Sequence, residues 1–326
     1  MTGPVLVVTG TGTEVGKTVV TAAVAALAAA RGTRVAVVKP VQTGEPPGPS
    51  GDLQTVRRLS GVTATPELAR FPDPLSPEAA ARAAGRPPLD LAEAAVFIKQ
   101  LAADAGSGLI LVEGAGGLLV RYDPAGATIA DLAAMLGAPV LVVTAPGLGT
   151  LNHTALTLEA LATRRLAIAG VVIGAWPADP GLAERANLTD LAVLAGRPLA
   201  GALPAGAARL SRAGFLAAAR AGLGPVFGGT FNDQATSSSL TENHQAGCGR
   251  VRPALSTRWA IRELMPGIAL EELVHAVLVA DQDHHRRRSS ESGAPAGHAY
   301  WLVTSPSRCG YLAMAGVASP GSATGA

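Results

Sequence analysis

The chain has 326 residues, 48% of them hydrophobic but only 3% aromatic, so a core must be built mainly from Ala, Val and Leu. A formal net charge of +2 gives no reason to expect nucleic acid as a partner, and the two cysteines, Cys248 and Cys309, lie far apart with no metal-ligand spacing and no disulfide framework. No basic region precedes the first apolar run, and Val19 to Ala30 is too short and alanine-rich to span a bilayer, so a soluble cytoplasmic protein with no membrane partner is expected.

Val5 to Val8 predicts a first strand, and the alanine-rich stretch ending at Ala30 a first helix. They are joined by Thr9–Gly10–Thr11–Gly12–Thr13–Glu14–Val15–Gly16–Lys17–Thr18. In such a loop backbone N–H groups turn inward on a phosphate, with the positive end of the helix behind them. Lys17 would reach the β- and γ-phosphates, and the Thr18 hydroxyl would hold Mg²⁺. The strict spacing puts a glycine where Thr11 stands; Gly10 and Gly12 flank that slot, so the loop is a variant.

Strand and helix patterns then alternate. Arg34 to Val38 predicts a strand that leads into Lys39–Pro40–Val41–Gln42–Thr43–Gly44, and a helix starts at Asp52. Phe71 to Pro77 is proline-rich and is read as irregular. Leu89 to Ala103 has helical period, and Leu109 to Val112 is a short buried strand ending in Glu113–Gly114–Ala115–Gly116–Gly117. Thr128 to Leu136 predicts a helix and Val140 to Thr144 a strand. A helix from Leu151 to Ala162 follows, then a strand from Ala167 to Ile173 that ends at Gly174 and Ala175. Leu182 to Leu194 predicts a helix, and Pro198 to Leu203 the last strand. This alternation implies an α/β fold, a parallel sheet with helices on both faces, whose ligands bind at the carboxyl ends of the strands. The motifs all follow strands and therefore share one edge. The pattern breaks near residue 235. Residues 1–234 read as the catalytic domain and 235–326 as an appendage expected to be largely disordered, although Arg262 to Ala280 admits a helix.

Three lysines, Lys17, Lys39 and Lys99, stand among 23 arginines, and two of the three lie beside glycine-rich turns after strands. In a chain that otherwise uses arginine, this points to sites needing a compact ammonium; codon bias with chance placement is the alternative. Mg²⁺ takes oxygen ligands, commonly one or two carboxylates besides substrate phosphates, and Thr18, Asp52 and Glu113 are the natural set. The alternative for Asp52 is an ordinary helix N-cap. The Lys39 ammonium could neutralise charge built up during phosphoryl transfer, and Thr43 could donate to the acceptor. No Ser-His-Asp set or Cys-His pair can be placed at this edge, and His153 near a helix start reads as structural.

Thr9-Gly-Thr-Gly-Thr-Glu-Val-Gly-Lys-Thr18, Lys39-Pro-Val-Gln-Thr-Gly44, Val112-Glu-Gly-Ala-Gly-Gly117 and Leu148-Gly-Thr-Leu-Asn-His153, in this order, resemble dethiobiotin synthetase. The likeness runs from about residue 4 to residue 231. It implies a P-loop NTPase-like fold and an ATP- and Mg²⁺-dependent cyclo-ligase of biotin synthesis that converts 7,8-diaminononanoate and CO₂ to dethiobiotin through a carbamate and a carbamic-phosphoric anhydride. It further implies a homodimer. Glu14, Val15, Gly16, Lys17, Thr18 and Val19 would hold the phosphates, with Gly114, Ala115 and Gly116 close by. Lys39 would be the catalytic lysine, acting with Lys17, and Thr43 would contact substrate. The substrate carboxylate would lie at Gly149, Thr150, Leu151 and Asn152, supplied across the interface. Nucleotide would further meet Gly174, Ala175, Pro204, Ala205 and Gly206.

Two features depart from that family: Gly174 stands where many members carry an adenine-reading Asn, and the chain beyond residue 235 has no counterpart in the pattern. Two other classes are weighed. A partitioning or cell-division ATPase switch needs a lysine where this chain has Gly12, and a cobyrinate-type amidase needs a glutaminase cysteine in a setting that neither tail cysteine has.

Overall fold

The computed structural model describes residues 3–104 and 108–232. Its first half runs β1 (Val5–Gly10), α1 (Lys17–Ala30), β2 (Val35–Thr43), α2 (Asp52–Ser60), β3 (Glu67–Phe71), α3 (Pro77–Ala83), α4 (Leu91–Asp104) and β4 (Leu109–Gly117). The second half runs α5 (Ile129–Leu136), β5 (Val140–Thr144), α6 (Thr150–Thr163), β6 (Ile168–Trp176), α7 (Leu182–Ala195), β7 (Gly201–Pro204) and α8 (Arg212–Gly222). The strands form one parallel sheet in the order β3-β2-β4-β1-β5-β6-β7.

Both faces of the sheet are covered, so its central strands are continuous apolar runs rather than alternating ones. Val7, Ile110 and Val112 pack with α4 and α5, whereas Leu6, Val8, Leu109 and Leu111 pack with α1, α2 and α8. On α1 the side chains of Ala22, Ala23, Ala25, Ala26 and Ala28 are all buried, which explains how a chain poor in aromatics fills its core. The chain leaves β1 toward β2 on one side and, after β4, crosses to β5 on the other. The strand order therefore reverses around β1, and its carboxyl end is the crevice where such sheets take ligands.

Several expectations need correction. Phe71 to Pro77 is not irregular throughout, because Phe71 ends β3 and Pro77 opens α3. β3 is a short edge strand whose first four residues are only half-buried, so it carries no apolar signature. Pro77 sits at the start of its helix, where a missing N–H costs nothing. β2 continues through Pro40 because its pairing with β4 ends at Val38; from Lys39 onward it pairs with β3 alone, and the ring nitrogen faces the side without a partner strand. β7 begins at Gly201 rather than Pro198, and α8, begun by the Ser211 side chain accepting the Gly214 N–H at 3.3 Å, was not foreseen. The expected appendage from residue 235, with its candidate helix Arg262 to Ala280, lies outside the described residues.

Candidate functional site

The glycine-rich loop leaves β1 and enters α1 through two left-handed residues, Glu14 (φ 60) and Gly16 (φ 95). Such a pair turns successive N–H groups to one side and makes a cradle for an anion at the helix start. Gly16 is also pressed against the end of β6, where an added Cβ would stand 2.7 Å from the Gly174 carbonyl oxygen. The buried Lys17 ammonium folds back over the loop and donates to the Gly12 carbonyl at 2.9 Å.

β2 and β4 bring the second cation to this loop. Their register pairs Val38 with Val112, so Lys39 and Glu113 come next on adjacent strands. The Lys39 ammonium donates to Glu113 Oε1 at 2.9 Å, to Asp52 Oδ2 at 2.5 Å and to the Gly114 carbonyl at 3.4 Å. The Thr18 hydroxyl donates to the same Glu113 oxygen at 2.8 Å. One carboxylate thus ties the phosphate loop to the lysine of β2.

Asp52 is not a cap. The N-cap of α2 is Gly51, and the Asp52 carboxylate turns instead to Lys39 while its N–H donates to the Gln42 side chain at 3.0 Å. Gln42, buried one residue before the end of β2, fixes where α2 begins; nothing in its sequence context pointed to this contact.

The electrostatics separate the two lysines. Burial lowers the Lys39 pKa, but the charges and hydrogen bonds of Glu113 and Asp52 outweigh it and hold the ammonium above its ordinary range. Burial also works against the Asp52 carboxylate, and Lys39 more than offsets this, so its pKa lies below the usual value. Lys17 has no such partner pair: burial, then repulsion from Lys39, brings it down from 10.5 to about 8, against the opposing pull of Glu113 and Asp52.

A titration test follows for Lys17. Between pH 8 and 10.5 the folded chain holds fewer protons at Lys17 than the unfolded chain. This group therefore opposes folding below pH 8, by up to about 3 kcal/mol, and stability gains from it as pH rises through that window. A phosphate beside Lys17 would restore its charge. Nucleotide binding near pH 8.5 should take up about half a proton or more, read by calorimetry in two buffers of different ionisation enthalpy. Equal heats in both buffers would show that Lys17 does not meet the phosphates.

A divalent cation fits here. Thr18, Asp52 and Glu113 offer oxygen atoms at one point, and Glu113 Oε2 is buried without a hydrogen-bond partner. Among the described residues no group of three or more His, Cys, Asp or Glu gathers in metal-binding range, so such an ion would rest on two carboxylates, one hydroxyl and incoming phosphate.

The other expected residues flank this centre. Thr43 ends β2 on the same side of the strand as Lys39, roughly 13 Å farther along. Gly114, Ala115 and Gly116 lie within β4 beyond Glu113, where the fully buried Tyr122 hydroxyl accepts the Ala115 N–H at 2.9 Å. Gly149 (φ 86) caps α6, and Thr150, Leu151 and Asn152 form its first turn. They follow β5, on the opposite side of β1 from Lys39. Pro204 ends β7 beside β6, and Ala205 and Gly206 follow it, with the Ala205 N–H donating to the Trp176 carbonyl at 2.6 Å. Gly174 has no room for any side chain, since a Cβ there would stand 2.0 Å from the Val15 carbonyl oxygen. Lys99 is exposed on α4, away from the strand ends.

Residues 5–208 match a family described as an AAA domain. The ATP-dependent dethiobiotin synthetase BioD of Parafrankia sp. (strain EAN1pec) is 63% identical over 228 residues, 70% of this chain and 95% of that protein. The protein of the same name from Frankia casuarinae is 65% identical over 229 residues, again 70% of this chain and 95% of the relative. In Streptomyces coelicolor the protein so named is 56% identical over 71% of this chain and 97% of its own length. Among solved structures, the cell division ATPase MinD of Pyrococcus furiosus is 20% identical over 62% of this chain and 83% of that one, at a TM-score of 0.42, a likeness too slight to argue from.

Proposed function

The chain belongs to the dethiobiotin synthetase family, and from that premise we propose that it closes the ureido ring of dethiobiotin in biotin synthesis, using 7,8-diaminononanoate, CO₂ and ATP. The observation that carries this reading is the meeting of Thr18 and Lys39 on one oxygen of Glu113, which joins a phosphate cradle to a second, fixed ammonium.

One amine of the substrate adds to CO₂ and loses a proton, giving a carbamate. A carbamate oxygen takes the γ-phosphoryl group as the bond to ADP breaks, giving a mixed anhydride. The second amine attacks the anhydride carbonyl, the ring closes and phosphate leaves. Each step passes negative charge near the strand ends, and the chain supplies positioned dipoles and cations there. Backbone N–H groups from Glu14 to Val19, with Lys17, hold the phosphates, and Lys39 stabilises charge on the transferring group. Thr43 positions the diamine. Gly114, Ala115 and Gly116 line the approach with backbone. Mg²⁺ held by Thr18, Asp52 and Glu113 would supply neutralisation of phosphate charge. The enzyme works as a homodimer in the cytoplasm, with the α6 start from Gly149 to Asn152 taking the substrate carboxylate of the partner's site. Among the described residues no helix is long and apolar enough to cross a membrane.

Label from [¹⁴C]bicarbonate should enter an acid-stable product only when diamine and ATP are both present. Acid-labile label alone would sink the ring-closure step.

The base pocket is formed by Gly174, Ala175, Pro204, Ala205 and Gly206, which offer backbone rather than selective side chains. A pocket that reads a base through side-chain hydrogen bonds can discriminate by about 10⁴-fold. Here CTP and GTP should support turnover with kcat/KM within about a hundredfold of ATP, roughly 2.7 kcal/mol. An ATP preference above about a thousandfold in competition assays would mean that other groups read the base.

The catalytic unit is residues 1–234. A stretch of 228 residues of this chain accounts for 95% of the Parafrankia relative, so that protein has almost nothing to match the remainder. A chain ending at Gln234 should fold and turn over like the full length; loss of activity on truncation would place residues 235–326 in the working enzyme.

A further inference from the structure

Four threonine hydroxyls, three of them buried and that of Thr11 half-buried, form a chain between the glycine-rich loop and α6, and no step written above draws on these hydroxyls. Thr144, at the end of β5, lies 3.3 Å from the Thr11 hydroxyl, 2.6 Å from that of Thr150 and 2.9 Å from that of Thr154. Thr144 and Thr154 are fully buried and Thr150 nearly so.

The proton order can be deduced. A hydroxyl has one proton and two lone pairs. Thr150 gives its proton to the Ala145 carbonyl at 2.6 Å, because a carbonyl can only accept. Thr150 therefore accepts from Thr144, which in turn accepts from Thr11 and Thr154. With three partners Thr144 is saturated, and the chain runs one way, from the loop through Thr144 and Thr150 to the Ala145 carbonyl. Hydrogen bonds aligned in this sense polarise one another.

The far end of the chain is anchored. The Asn187 amide donates to the Pro146 carbonyl at 2.8 Å and to the Gly147 carbonyl at 3.0 Å, tying the turn between β5 and α6 to α7. At the near end the Thr11 N–H is held by the Val143 carbonyl at 2.9 Å, yet its hydroxyl contact is the longest in the chain. That link has room to tighten when a bound phosphate orders the loop.

We propose that Thr144 is a positioning residue through which occupancy of the glycine-rich loop orders the first turn of α6. The role of α6 in holding substrate rests on the reading above, but the coupling itself does not. By reciprocity, a ligand at the α6 start tightens nucleotide binding by the same factor, about three- to tenfold for one hydrogen bond.

Amide hydrogen exchange of the full chain, with and without Mg–ADP, tests this. In the wild type, Mg–ADP should slow exchange in the first turn of α6 by about three- to tenfold. Thr144→Val, which keeps the shape and loses the hydroxyl, should abolish that response, and Thr144→Ser should restore it. Thr11→Val cuts only the link to the loop and should also abolish it, which covers the case of Thr144→Val failing to fold. An unchanged response in Thr144→Val or Thr11→Val, or none in the wild type, would overturn the proposal. A normal exchange response together with no calorimetric binding of 7,8-diaminononanoate would sink the enzyme reading and leave the coupling standing.

Discussion

Lys39→Ala is expected to lower kcat/KM by at least about a hundredfold, roughly 2.7 kcal/mol of transition-state stabilisation. The same change should lower the melting temperature. Lys39 is buried between Glu113 and Asp52, and removing one member of a buried ion pair leaves the others uncompensated, at about 3–5 kcal/mol. The two losses separate on adding Mg²⁺. A divalent ion bound to Asp52 and Glu113 would replace the missing positive charge, so Mg²⁺ alone should raise the melting temperature more in Lys39→Ala than in the wild type. Activity should not return with it, because the ion does not supply an ammonium to the transferring group. Lys17→Ala should lose at least about a hundredfold as well, without that Mg²⁺-dependent recovery of stability, while the exposed Lys99 should tolerate alanine. A Lys39→Ala enzyme that kept most of its kcat/KM would show that phosphoryl transfer does not pass by this ammonium.

Gly174→Ala should weaken nucleotide binding by about a hundredfold or more. The new methyl group would lie 2.0 Å from the Val15 carbonyl oxygen, 2.8 Å from a methyl of Val143 and 3.0 Å from the Gly16 Cα. Two of these three atoms belong to the loop backbone, which must move by more than an ångström to admit it, and a misplacement of that size in a positioning element can cost about 10²-fold. The fold should survive, since Val143 and the rest of the sheet lie beneath and only the loop can yield. Calorimetric titration with Mg–ADP, together with the melting temperature, checks this: near-native affinity would show that the loop does not rest on β6. Gly174 thus has a role besides any bearing on the base, because it lets β6 and the glycine-rich loop touch backbone to backbone.

How much of this was legible depended on whether the signal was local. The loop at Gly10 to Thr18 could be read directly, because strand, glycine turn and helix are contiguous. Lys39, Asp52 and Glu113 could each be picked out as charged residues near strand ends. Their junction required the Val38–Val112 register, which places β4 between β1 and β2 although more than sixty residues separate β4 from either in the chain. For Asp52 a cap stood as the alternative to a metal ligand, because acidic residues open helices for that reason too; only the Gln42 contact and the turn of its carboxylate toward Lys39 decide against the cap. β3 and α3 went unread because an edge strand with half-buried polar residues and a seven-residue helix after prolines have no apolar period. The Thr144 chain gave no signal at all: its members stand at 11, 144, 150 and 154, and threonines become a network only when β5 is laid beside β1.

The proposed function requires one edge of the sheet to join a nucleotide, a diamine and CO₂. It is tested most directly by following ADP release from the full chain with Mg–ATP, 7,8-diaminononanoate and bicarbonate, omitting one component at a time. Release in the complete mixture, falling to background when either diamine or bicarbonate is left out, is the result expected. Release that persists without both, or that rises with DNA or lipid vesicles instead, would contradict it.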